Sequence, residues 1–239
     1  IYFMKRESLL FGGLISVHRF RHQIGKEIAK QDLDLELNAG NIFNDTSNKL
    51  NGENIKVITY IPESARSIAE GYAEMLSLNV NHNIIIKIEN IRSFIENSND
   101  SRNGKLKRKF AFNYEDIKKI GEIVLIDDSI VRGNTMKYII GVLKEINPTI
   151  KIHLRIGAPK LVKGCNFGID LYDNELIIPK VGNGKSNNNN ASICDYFNVD
   201  SVVFLDKSRL SMLFNNYGIS NCGWCFGDVD DITKKAMEW

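Results

Sequence analysis

The sequence predicts an α/β fold: a mostly parallel central sheet flanked by helices, with a helical C-terminal appendage. Three observations carry that expectation. Short β-rich runs recur along the chain, "IKVITYI" (55–61), "NIIIKI" (83–88), "EIVLI" (122–126) and "KIHLRIG" (151–157). Helical patterns separate several of them, which implies parallel βαβ units with right-handed crossovers. One run ends in two adjacent aspartates, a small polar loop and a new helix, "EIVLIDDSIVRGNTMKYIIGVLKEI" (122–146). In open α/β sheets, ligands sit at such carboxyl ends of strands.

The first residues, "IYF", are strand-like. In "SVHRFRHQIGKEIAKQ", Val17, Phe20, Ile24 and Ile28 recur at helical spacing, with Ser16 placed as the N-cap. Residues 38–54 are rich in Asn, Gly, Asp and Ser and read as a loop. "SARSIAEGYAEML" (64–76) reads as a helix. Residues 96–109 are polar and basic, and loops of that length are uncommon unless functional or disordered. In "NTMKYIIGVLKEI", Met136, Ile139, Ile140 and Leu143 form one apolar stripe. The low-complexity run "GNGKSNNNNAS" (182–192) reads as a surface loop. The division expected is residues 1–185 for the α/β domain, including an N-terminal strand and helix, and 186–239 for a helical appendage with a CxxC pair.

Charge and hydropathy narrow the partners. The formal net charge is +2 with no long basic block, so nucleic acid is not implied. The run Lys105-Leu106-Lys107-Arg108-Lys109 suits a solvated loop or a clamp for a small anion. No apolar run approaches the roughly 20 residues of a membrane helix, and no signal-peptide pattern is present. Four cysteines are too sparse for a disulfide scaffold and fit a reducing, cytoplasmic setting.

Asp127 and Asp128 fall where the apolar strand ends, so their carboxylates should face the crevice. Two ionised carboxylates side by side repel, and are tolerated where they bind hydroxyls or a cation. The loop after them leads into a helix, whose N-terminal N–H groups form an anion site. Gly133 permits a left-handed backbone or close approach to a phosphate. Ser129, Asn134 and Thr135 can add hydrogen bonds, with Asn134 a candidate cap. A diol held by two carboxylates and a phosphate held by a loop is the layout of a ribose 5-phosphate.

"VLIDDSIVRGNT" resembles the phosphoribosyl pyrophosphate (PRPP) motif of type I phosphoribosyltransferases, and "DDSIVRG" resembles the form found in amidophosphoribosyltransferases. "IYFMKRES", "YIPESARSIAEGYA", "IIIKIENIRSFI", "LRIGAPKLVKGCNFGIDL" and "YFNVDSVVFLDKSRL" resemble further segments of that family, in order. The resemblance implies a type I phosphoribosyltransferase fold and displacement of pyrophosphate from PRPP by ammonia, with purine nucleotides as inhibitors and a homo-oligomer. By the same resemblance Asp127 and Asp128 contact the ribose hydroxyls and Mg²⁺. Ser129, Ile130, Val131, Arg132, Gly133, Asn134 and Thr135 form the phosphate loop. Glu63 and Ser64 belong to the pyrophosphate loop, Ser64 also to the Mg²⁺ site. Lys87 and Arg92 supply basic groups near the pyrophosphate. Glu63 stands where the family has Asp, and "ENIRSFI" departs from the usual flexible loop. The family's glutaminase half has no counterpart in this chain, and the expectation is a fragment of a longer protein.

Cys165 in "GCNFGID", with Cys222 and Cys225 in "NCGWCFG", match positions that hold a [4Fe–4S] cluster in some family members. Thiolates are the ligands such clusters use. Two other readings stand beside the transferase: a PRPP- or nucleotide-binding regulator with reduced catalysis, and a salvage transferase for a free base.

Overall fold

A computed structural model describes Tyr2 and residues 4–39, 55–88, 109–181 and 190–228. The core is a parallel four-stranded sheet in the order β3 (Ile55–Tyr60), β6 (Ile120–Asp127), β7 (Lys151–Ile156), β8 (Ser201–Phe204). β6 alternates between two cores. Val124 and Ile126 face helices α1 (Val17–Ala39) and α2 (Arg66–Met75), while Ile123 and Leu125 face α4 (Asn134–Ile146). With both faces covered, the strand is apolar almost throughout, as parallel strands are.

Ser16 caps α1 as its position predicts: its hydroxyl accepts from the Arg19 N–H at 3.2 Å. Val17, Phe20, Ile24 and Ile28 are fully buried. α1 lies so close to α2 that a Cβ on Gly25 would fall 1.9 Å from the Ile68 carbonyl, and one on Gly71 1.9 Å from that of His22. The expected helices at 64–76 and 134–146 form, and Met136, Ile139, Ile140 and Leu143 bury one stripe.

Four expectations need correction. Tyr2 sits in a turn, and the N-terminal strands are β1 (Leu9–Leu10) and β2 (Ile15–Ser16), an antiparallel pair preceding α1. "NIIIKI" supplies β4 (Ile85–Lys87), which pairs antiparallel with β5 (Phe110–Phe112) in a separate ribbon followed by the short α3 (Tyr114–Ile117). The segment after residue 185 is no purely helical appendage. Beside α6 (Asn190–Phe197) and α7 (Lys207–Asn215) it contributes β8, whose Val202 and Phe204 complete the apolar layer under α4. Residues 190–192, expected in a loop, begin α6. For the β4–β5 ribbon and for β8, a strand edge needed a partner that only distant sequence could provide.

On the α1 side of β7, the alternation places His153 and Arg155, both buried. His153 Nδ1 meets the Ser201 hydroxyl at 2.8 Å, and Nε2 meets Glu122 at 2.7 Å. Burial, with Arg155 nearby, holds the imidazole pKa below its usual value. A lowered folded pKa means that the unfolded chain binds more protons, so stability falls as pH drops through the ordinary histidine range near ~6.5. His153→Gln is expected to flatten that loss, which thermal melts between about pH 7 and 5 would check.

Candidate active site

β6 delivers Asp127 as its last residue, and the chain bends at Asp128. A cleft of about 490 Å³ opens there. Pro62 and Ser64 form one wall, the 129–135 loop a second, Asp170 and Glu175 a third, with Lys109 at the mouth of the β4–β5 ribbon. The Pro62–Glu63 peptide is cis. The carboxylates face the cleft together with the loop, so the acidic doublet and the glycine turn share one cavity.

The doublet is tightly linked. Asp127 Oδ1 accepts from the Asp128 N–H at 2.8 Å. Burial first, then the neighbouring charge, pushes the Asp127 pKa well above the usual carboxylate value. Burial raises that of Asp128 as well, opposed by its hydrogen bond with Asp127, the Arg21 guanidinium, the Ser64 hydroxyl and the Ser129 N–H. Two buried carboxylates this close share protons or take a cation. Mg²⁺ binds through one or two carboxylates plus ligand phosphates. The oxygen donors of Asp127 and Asp128, with Ser64 beside them, fit that requirement.

The loop reaches α4 through Gly133, the helix N-cap, at φ +71°. Asn134 is therefore the first helical residue rather than the cap. A Cβ at position 133 would meet the buried Phe197 ring at 2.9 Å. Gly133→Ala is expected to cost about 1–3 kcal/mol from backbone strain and overpacking, measurable by denaturant unfolding.

Ser64 and residues 129–135 line the cleft as expected, whereas Glu63 does not. Lys87 lies opposite Phe110 on the ribbon, half-buried and outside the cleft lining. Arg92 lies outside the described residues. Two basic groups that the sequence did not assign individually act on the doublet: Lys109, from the run read as a small-anion clamp, and Arg21. Lys109 lines the cleft, and its charge acts on Asp127. Arg21, from α1, is buried and acts on Asp128, while donating to the Tyr2 and Met4 carbonyls. The antiparallel ribbon explains Lys109: pairing of Lys87 with Phe110 seats Lys109 beside the end of β4, where the Ile88 N–H donates to its carbonyl at 2.9 Å.

Cys165 and Cys225 line a small apolar cavity of about 70 Å³ that shares Ser129 and Leu171 with the cleft. Cys222 is exposed. Burial, then the neighbouring Cys222 and Cys165, pushes the Cys225 thiol up to about 11. Among the described residues no group of three or more His, Cys, Asp or Glu side chains could hold a metal ion. The iron–sulfur expectation therefore lacks its donor set, and no chemistry is derived through a cluster.

No family model matches the chain. It is 28% identical to the Bacillus subtilis amidophosphoribosyltransferase over 226 residues, 94% of this chain and 41% of that protein. The Methanocaldococcus jannaschii amidophosphoribosyltransferase is 28% identical over 88% of this chain and 38% of its own length. Among solved structures, the glutamine PRPP amidotransferase of B. subtilis with ADP and GMP superposes at a TM-score of 0.67 and 27% identity, covering 95% of this chain and 44% of that one. The chain is a relative of the amidophosphoribosyltransferases. It has the type I phosphoribosyltransferase fold that those relatives share, and spans about two fifths of the length of the curated amidophosphoribosyltransferases it matches. Among the described residues no helix is long and apolar enough to cross a membrane.

Proposed function

We propose that the chain is a phosphoribosyltransferase domain that displaces pyrophosphate from PRPP with ammonia to give 5-phosphoribosylamine, the first step of de novo purine synthesis. The observation that carries this reading is one cleft with a buried acidic doublet at one end and a glycine-turned helix N-terminus at the other. Asp127 and Asp128 hold the ribose hydroxyls and orient the sugar. Residues 129–135 hold the 5-phosphate through backbone N–H groups and the Ser129 and Thr135 hydroxyls. Pro62, Ser64 and Lys109 face the pyrophosphate, with Lys87 and Arg92 as further basic groups supplied by the resemblance. Mg²⁺, held by the doublet, would supply charge neutralisation of the diphosphate. The bond from the anomeric carbon to the pyrophosphate oxygen breaks, a carbon–nitrogen bond forms, and water takes the proton released from the ammonia nitrogen. No protein nucleophile is required. The nitrogen would come from glutamine in a longer protein and from free ammonia for this chain alone. The protein is read as cytoplasmic and homo-oligomeric, with purine nucleotides competing for the ribose-phosphate site.

Incubation with PRPP, Mg²⁺ and ammonia, followed by pyrophosphate measurement, tests the reading. Pyrophosphate release that requires ammonia supports it. Tight PRPP binding without release would favour the regulator, which the departures at Glu63 and around Arg92 make the second reading. Release that requires a free base instead would point to a salvage transferase.

A further inference from the structure

We infer that Glu175 is a positioning residue: with the backbone of Ile177 it straps the 129–135 loop so that its N–H groups face the cleft. The inference rests on the proposed ribose-phosphate site and names what holds that site in shape. Two contacts from one short segment reach the loop. Glu175, in the turn Asp173–Glu175, accepts from the Arg132 guanidinium across the cleft wall. Two residues on, at the start of α5 (Ile177–Val181), the Ile177 N–H donates to the Val131 carbonyl at 2.9 Å. The segment itself is pinned, because the Asp173 side chain accepts from the Gly164 N–H and Lys180 donates to the Asn174 carbonyl.

The consequence follows from peptide geometry. The Val131–Arg132 peptide is trans, so its carbonyl and N–H point in opposite directions. The carbonyl is committed to Ile177, which is not among the cleft-lining residues, so the Arg132 N–H points away from Ile177. Ile177 also packs near Gly133, whose left-handed backbone begins α4. The ion pair with Glu175, itself part of the cleft wall, holds the Arg132 side chain against the 173–177 segment. Arg132 is 55% and Glu175 24% exposed, and pairs with such exposure contribute little to global stability. The effect of the pair should therefore appear in ligand binding at the phosphate end more than in the melting temperature.

The test uses this chain and two probes, ribose 5-phosphate and inorganic pyrophosphate, each titrated calorimetrically with Mg²⁺ present. Glu175→Ala is expected to weaken ribose 5-phosphate about fivefold, in line with one surface ion pair, and to leave pyrophosphate within about twofold. Glu175→Asp should recover part of the loss. Arg132→Ala should show a similar deficit, and the double variant should be no weaker than the worse single one. Unchanged ribose 5-phosphate affinity in Glu175→Ala would overturn the strap. So would equal weakening of both probes, since that marks a general loss of structure. If the unaltered chain binds pyrophosphate but no ribose 5-phosphate, the underlying site assignment fails and takes the strap with it.

Discussion

Asp127→Asn is expected to lower ammonia-dependent pyrophosphate release by about 10²-fold or more while making the folded protein more stable at neutral pH. Both effects come from one cause. The structure buries two adjacent carboxylates, and burial together with mutual repulsion raises the pKa of Asp127 well above its usual value. A carboxyl whose folded pKa is raised holds its proton more tightly in the folded state than in the unfolded chain. Stability therefore falls as pH rises from the unfolded pKa of about 4, and stays lowered once the folded group has ionised. Asparagine removes that cost and keeps an oxygen for the Asp128 N–H, which Asp127 Oδ1 accepts at 2.8 Å. It forfeits the charge that a diol or a divalent cation needs. Denaturant unfolding in the presence of a chelator should show a gain of about 1 kcal/mol at pH 7 that vanishes below about pH 4. Near-normal turnover in both Asp127→Asn and Asp128→Asn would exclude the doublet from the chemistry.

What could be read from the sequence was local. The α1 N-terminus followed from one serine and an apolar spacing of three to four, and Ser16 does cap it. The acidic doublet and Gly133 followed from a strand running out into a small polar loop, and both line the cleft. Contacts made between distant segments were not legible. Lys109 reaches the site because β5 folds back on β4 in an antiparallel ribbon, and nothing within "KLKRKFAF" distinguishes it from its basic neighbours. β8 was hidden because "SVVF" is too short to separate a strand from a buried helical turn. Glu175 reads as an ordinary surface acid, and its partner Arg132 is 43 residues away. The cysteines show the opposite limit: matched spacing drew them together in the sequence, while the described side chains form no ligand cage.

Asp32→Ala is expected to destabilise the fold by about 3–5 kcal/mol, a large share of the ~5–15 kcal/mol that holds a typical domain together. "KIHLRIG" alternates apolar and polar residues, a pattern that suggests a solvated face. That face is instead covered by α1, leaving Arg155 1% exposed. Its Nε donates to Asp32 Oδ2, and Nη1 donates to the Leu154 carbonyl at 2.9 Å and the Ser201 hydroxyl at 3.0 Å. Tyr72 from α2 donates to the same Asp32 oxygen at 2.6 Å. One carboxylate thus joins α1, α2 and β7 in a place that water cannot reach. Removing it takes the compensating charge from a buried guanidinium and an acceptor from a buried hydroxyl, so their desolvation is no longer fully offset. Replacing the pair with apolar groups, as in Asp32→Leu with Arg155→Met, should recover most of the loss, because no uncompensated charge remains. Chemical denaturation of the two single variants and the double one measures the coupling directly. A cost below about 1 kcal/mol for Asp32→Ala would mean that Arg155 is solvated, contrary to its burial beneath α1.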